Sequence, residues 1–132
     1  MNMKFICLIC ADTLMEDMSE ADAAQHYRDY EAFTAEICRS GHFIDCNRLL
    51  PPETAKTLRV RNGKVSTVDG PFAETKEHLG GYFVIEAENM DEALRIAAGI
   101  PGGWHGCVEV RPIAEDVPTL KLLAVAAGKQ HA

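Results

Sequence analysis

Hydrophobic and polar residues alternate with different periods along this chain, and the changes of period divide it into elements. Residues 4–10, Lys-Phe-Ile-Cys-Leu-Ile-Cys, are apolar on both alternating sides, the pattern of a central strand covered from both faces. Residues 12–19 are polar without a period and predict a loop, and Ser19 with Asp22 three positions on predicts a helix start. In the helix predicted over 20–39, Tyr27, Tyr30, Thr34, Ile37 and Cys38 recur mainly at steps of three and four, so they would face a sheet. Arg28, Asp29 and Glu36 take the other side, with His26 on the exposed shoulder. Gly41 is placed to end the helix in a left-handed cap, after which 43–50 reads as a strand that stops before Pro51-Pro52.

Asn62-Gly63 between the strand-like runs 57–61 and 64–69 is a strong two-residue hairpin signal. The hairpin delivers the chain to Asp69, where Gly70 supplies backbone freedom and Pro71 fixes φ near −65°, a forced bend that holds the carboxylate in one direction. Phe72 follows as an apolar anchor beside a charged loop of Glu74, Lys76, Glu77 and His78. Gly80-Gly81 allows close backbone approach before a strand over 82–87. A helix over 91–98, with Ala93, Leu94, Ala97 and Ala98 inward, ends at Gly99 and Pro101. The strand over 106–113 sends Val108 and Val110 one way and Cys107, Glu109 and Arg111 the other. The order β-α-β, hairpin, β-α-β predicts an α+β, ferredoxin-like plan with an inserted ribbon and both helices on one sheet face. Residues 4–10 and 82–87 are apolar on both sides, so the other face is left for a second copy in a sheet-to-sheet dimer. Residues 120–127 can add a short helix.

Length and composition narrow the class. One domain suffices for 132 residues, and 47% hydrophobic content supports a single core without disulfides. No apolar run approaches the roughly 20 residues of a membrane span, and the amino terminus lacks a basic segment followed by an apolar block. A soluble, cytoplasmic protein is expected. With a net charge of −7 and its 13 Lys and Arg scattered, the chain does not fit a nucleic-acid partner. Five cysteines, an odd number, read as reduced thiols; Cys7 and Cys10 stand three apart in a strand and so on opposite faces, which excludes a shared metal there. No His-x3-His or close carboxylate cluster suggests a metal, and the glycines of 99–106 follow a helix instead of opening one, so they form no phosphate cradle. No cofactor is expected.

The candidate chemistry is therefore polar and organic. Glu109 and Arg111, two apart on one strand, either pair with each other or line a polar ligand site in which a fixed guanidinium suits a carboxylate or phosphate. His105, just before that strand, is either a general base or a loop histidine capping a carbonyl. His78 ranks lower, and His42 and His131 read as solvated.

Residues 69–77, Asp-Gly-Pro-Phe-Ala-Glu-Thr-Lys-Glu, followed by Gly80-Gly81 and an aromatic strand, resemble the signature of the DGPF branch of the YCII-related family. The likeness extends to Glu-Val-Arg-Pro-Ile at 109–113 and covers roughly residues 3–113. It implies a dimeric α+β barrel formed by a homodimer, with a domain over 1–114 and a carboxy-terminal extension over 115–132. In the wider family a His–Asp dyad has been proposed, its histidine about three turns before the glycine that ends the first helix. Tyr30 stands at that place here, and His26 is one turn too early. The departure leaves Asp69 as the candidate acid, with Tyr30 as a hydrogen-bond donor to a ligand. The resemblance points to cofactor-free lyase, isomerase or hydrolytic chemistry in which Asp69 or His105 moves a proton and Arg111 steadies negative charge. The resulting expectation is a dimer whose polar cavity, lined by Asp69, His105, Glu109, Arg111 and Tyr30, binds a small anionic metabolite. The alternative is a non-catalytic accessory or regulatory protein, because relatives of this branch are often encoded beside, or fused to, extracytoplasmic-function sigma factors.

Overall fold

The computed structural model describes residues 2–73, 75–115 and 118–128; Glu74 and His131, both singled out above, lie outside the described residues. The run that is apolar on both sides becomes β1 (Met3–Ala11). Around it the chain lays down α1 (Glu20–Arg39), β2 (Phe43–Arg48), β3 (Lys56–Arg61), β4 (Lys64–Asp69), β5 (His78–Ala87), α2 (Met90–Ala97), β6 (Gly106–Pro112) and α3 (Pro118–Ala126). Four strands form one antiparallel sheet in the order β2-β5-β1-β6, and β3 with β4 forms a separate two-stranded ribbon. This is a mixed α+β arrangement of ferredoxin-like type, with α1 and α2 on the same sheet face.

Alternation decides which side chains enter the core. Phe5, Cys7 and Ile9 of β1 and Phe83, Ile85 and Ala87 of β5 are buried beneath the helices, where they meet Ile37 of α1, Ala93 and Ala97 of α2, and Ile100. Burial pushes the Cys7 thiol up to about 11. The intervening Ile6, Leu8 and Val84 point to the open face and stay half-buried.

The helix ends follow the predicted chemistry. Ser19 accepts the Asp22 N–H at 3.1 Å, and Gly41 takes φ +80° beyond the last turn. The rotation of α1 differs from the expected one: Ala23, His26, Tyr30, Phe33 and Ile37 form its inward stripe, whereas Tyr27 and Cys38 are exposed. The cause is Phe83, whose ring stacks parallel to Tyr30 at 6.2 Å and takes Phe33 edge-on at 5.3 Å. His26 therefore leaves the exposed shoulder assigned to it above. His42 is also half-buried, with Nε2 3.5 Å from Glu92 Oε1. In α2 only Ala93 and Ala97 are buried; Leu94 is exposed, because the helix lies on the sheet through its small residues.

Asn62 (φ +51°) and Gly63 (φ +76°) make the tight turn of the ribbon, with Val60 directly opposite Val65. At its base the Gly70 N–H donates to Ala55 O at 2.7 Å and the Thr57 hydroxyl donates to Gly70 O at 2.8 Å. Phe72 does not anchor in the core of its own chain: it is 77% exposed, and the Arg59 guanidinium lies 5.3 Å above its ring.

Candidate functional site

β5 begins four residues earlier than expected, so Gly80 and Gly81 lie within the strand. Gly81 occupies a core-facing position two residues before Phe83, and its missing side chain leaves room beneath α1. A Cβ there would stand 2.7 Å from Asn47 O and 3.3 Å from Arg48 Cα, both backbone atoms of the neighbouring strand. Gly80 is a bulge: Ile9 pairs with Gly81 and Cys10 with Leu79, so the register skips one residue. The skip turns His78 to the helix side.

The resulting cavity, of about 680 Å³, lies between α1 and the sheet. Ile9, Phe83, Leu49, Leu50 and Pro51 give it apolar walls; Tyr27, Tyr30 and Thr34 descend from α1, and His26 and His78 also line it. At its rim Arg48 is held by Glu16 at 2.7 Å.

The polar end of this cavity is built on Tyr30. Its hydroxyl accepts the N–H of Gly102 at 3.0 Å, and Gly102 is itself buried. A side chain at 102 would collide with that hydroxyl and with Ile9 Cγ2, which accounts for glycine in this loop. The His26 ring stands edge-on to Tyr30 at 5.0 Å and 5.8 Å from the His105 ring. Burial, reinforced by the nearby His105, lowers the His26 pKa and favours neutral imidazole, against a smaller opposing pull from Asp29. Burial raises the Tyr30 pKa, with the Gly102 N–H acting the other way, so the phenol keeps its proton.

The residues proposed from sequence separate into three places. Tyr30, Gly80 and Gly81 line the cavity, and His105 is brought to His26 at its end. Glu109 and Arg111 project from the opposite face of the sheet, where they pair with each other. Asp69 ends the ribbon with its side chain 85% exposed and bonded to Lys56 at 2.7 Å; Gly70 (φ +100°) forms the bend after it, and Pro71 is exposed. His26 and His78 were not among the proposed site residues. His26 carried a signal, since it stands four residues before Tyr30, and His78 carried one in the Gly-Gly pair that marks the bulge. Among the described residues, no group of three or more His, Cys, Asp or Glu is arranged to hold a metal ion. No helix of the described residues is long and apolar enough to cross a membrane.

Comparison with known proteins agrees with this framework. The family model described as YCII-related domain matches residues 3–116. A relative, an uncharacterized protein of Rhizobium meliloti (strain 1021), is 39% identical over 89 residues, which cover 66% of this chain and 72% of that protein. The match to the family model spans all six strands together with α1 and α2, and the chain belongs to the YCII-related domain family.

Proposed function

We propose that this YCII-family protein, of the DGPF branch, binds a small molecule between α1 and the sheet and moves a proton at the His26–Tyr30 end of that cavity. The observation that carries this reading is the convergence of a histidine held toward its neutral form and a protonated phenol on an otherwise largely apolar wall. The volume falls within the roughly 300–1,000 Å³ of small-molecule sites. Ile9, Leu49 and Leu50 suit an apolar body, and the polar end suits one weakly acidic O–H or C–H group. Neutral His26 accepts that proton. Because the Tyr30 oxygen already accepts from Gly102, its own proton is free to be donated to a ligand oxygen on which negative charge develops. Return of the proton to another carbon is an isomerisation; departure of a leaving group with its electron pair is an elimination. Neither needs a cofactor.

Asp69, Glu109 and Arg111 enter this reading through a homodimer in which two open sheet faces pack as a dimeric α+β barrel. Its support is the row Ile6, Leu8 and Val84, half-buried and facing away from the helices. Arg111 would then meet an anionic group of the ligand only at the subunit interface, and only by giving up Glu109.

The test is calorimetric titration with planar phenols, enols and aromatic carboxylic acids, on the wild type and on His26→Gln, Tyr30→Phe and Asp69→Asn. Loss of about tenfold or more in affinity for the first two variants, with folding intact, is expected. Full binding by His26→Gln and Tyr30→Phe together with loss in Asp69→Asn would move the site to the ribbon and the open face.

A further inference from the structure

Cys10 and Cys107 stand directly opposite each other where β1 pairs with β6. Their spacing follows from the ladder around them. The Ile113 N–H donates to Lys4 O at 2.8 Å and the Asp12 N–H to His105 O at 3.4 Å, so 4/113 and 12/105 are hydrogen-bonded pairs of the antiparallel ladder. Such pairs recur at every second residue, and the register runs unbroken from Phe5–Pro112 to Ala11–Gly106, which makes Cys10–Cys107 one of them. Residues paired in this way hold their Cα atoms about 5.5 Å apart, inside the roughly 4.4–6.8 Å that a disulfide bridges. The other strand cysteines have no such partner, since Cys7 stands opposite Val110 and Cys46 opposite Phe83.

Both side chains leave the sheet on its open face, and the two thiols are close enough to perturb each other's protons. Partial burial raises both above the ordinary thiol value, and the carboxylates of Glu77 and Glu109 add to the shift. The reduced pair therefore gains nothing from a stabilised thiolate, the feature that makes a dithiol resist closing. Access differs between the two. Cys107 is exposed on the edge strand of the sheet, whereas Cys10 is half-buried beside it. The first is placed to meet an oxidant and the second to resolve it.

We propose that Cys10 and Cys107 are a redox-active dithiol that closes reversibly by exchange with a low-molecular-weight disulfide of the oxidised-glutathione class. The Cys107 thiolate attacks one sulfur of that disulfide, forms a mixed disulfide and expels one small thiolate. The Cys10 thiolate then attacks the Cys107 sulfur and expels the second. One S–S bond forms in the protein as one breaks in the oxidant, which takes up two electrons, and the two cysteine protons end on the two released thiols. The bond ties β6 to β1 two residues from His105. The site is independent of the cavity reading and shares none of its proposed proton-moving groups.

The test incubates the full chain with oxidised glutathione, quenches it with acid and maps its peptides without reduction, alongside Cys107→Ser and Cys10→Ser. The wild type is expected to show a Cys10–Cys107 link within one chain, free of glutathione and reopened by dithiothreitol, while the exposed Cys38 stops at a mixed disulfide. Each serine variant should leave glutathione on the remaining member of the pair. Should Cys10→Ser fail to fold, Cys107→Ser decides alone, since its position is exposed. The linked protein should gain roughly 5 °C or more in Tm, because the bond closes a long loop at a register the sheet already holds. Glutathione retained on wild-type Cys107, a link between Cys38 and Cys46 in its place, a link between two chains, or a lowered Tm would each overturn the proposal.

Discussion

Replacing Tyr30 by Phe removes one oxygen and leaves the ring that stacks on Phe83 in place. No packing is lost, so the effect isolates the hydrogen bond from the Gly102 N–H, which spans 3.0 Å and 72 positions of sequence. Gly102 is buried, and a buried donor deprived of its acceptor costs about 1–3 kcal/mol. Taking about 2 kcal/mol, a chain of this length should lose roughly 6–10 °C in Tm. The matched control is Tyr27→Phe on the same helix, a cavity-lining residue that is 60% exposed, expected within about 0.5 kcal/mol of the wild type. Scanning calorimetry and urea unfolding measure both. The same substitution removes the phenol donor from the cavity, so ligand affinity should fall even when binding is measured well below the new Tm. A Tyr30→Phe protein as stable as the Tyr27→Phe control would refute the reasoning, because the loop that holds Gly102 and His105 could not then depend on that hydroxyl.

Other substitutions probe the same frame. Gly81→Ala sets a Cβ against Asn47 O and Arg48 Cα, backbone atoms that cannot swing aside, and should cost about 1–3 kcal/mol in urea unfolding; a neutral outcome would contradict the close approach. The His26 pKa lies below 6.5 in the folded chain, so as pH falls through 6.5 the unfolded state takes up a proton that the folded state refuses, and stability drops. His26→Gln should flatten that drop in Tm measured above and below pH 6.5, and an unchanged slope would show that His26 titrates freely. Cys7, buried and raised to about 11, should resist iodoacetamide at mildly alkaline pH while the exposed Cys38 reacts; equal rates followed by peptide mass spectrometry would contradict the burial of β1.

How far the sequence could be read depended on the distance over which each feature is decided. The ribbon register follows from Asn62-Gly63, and the bounds of α1 from Ser19 and Gly41, because those signals act within a few residues. The rotation of α1 is decided by Phe83, more than forty positions away, and this moved His26 from the outer shoulder to the inner stripe. Along β5, strict alternation would place His78 on the open face; one skipped residue at Gly80 reverses it. The cavity is a space between elements remote in sequence, so no single stretch encodes it. Conversely, the bend at Asp69 was evident from Gly70 and Pro71, but the direction in which the ribbon leaves the sheet was not, and the carboxylate ends on Lys56.

Methyl NMR on protein labelled at Ile, Leu and Val, titrated with whichever phenol or enol binds in the calorimetric screen, separates the two faces of the sheet directly. Shifts concentrated at Ile9, Leu49 and Leu50 are the predicted result, since those methyls line the cavity beside His26 and Tyr30. Shifts confined to Ile6, Leu8 and Val84, with Ile9 unmoved, would contradict it and give the site to the open face of Glu109 and Arg111.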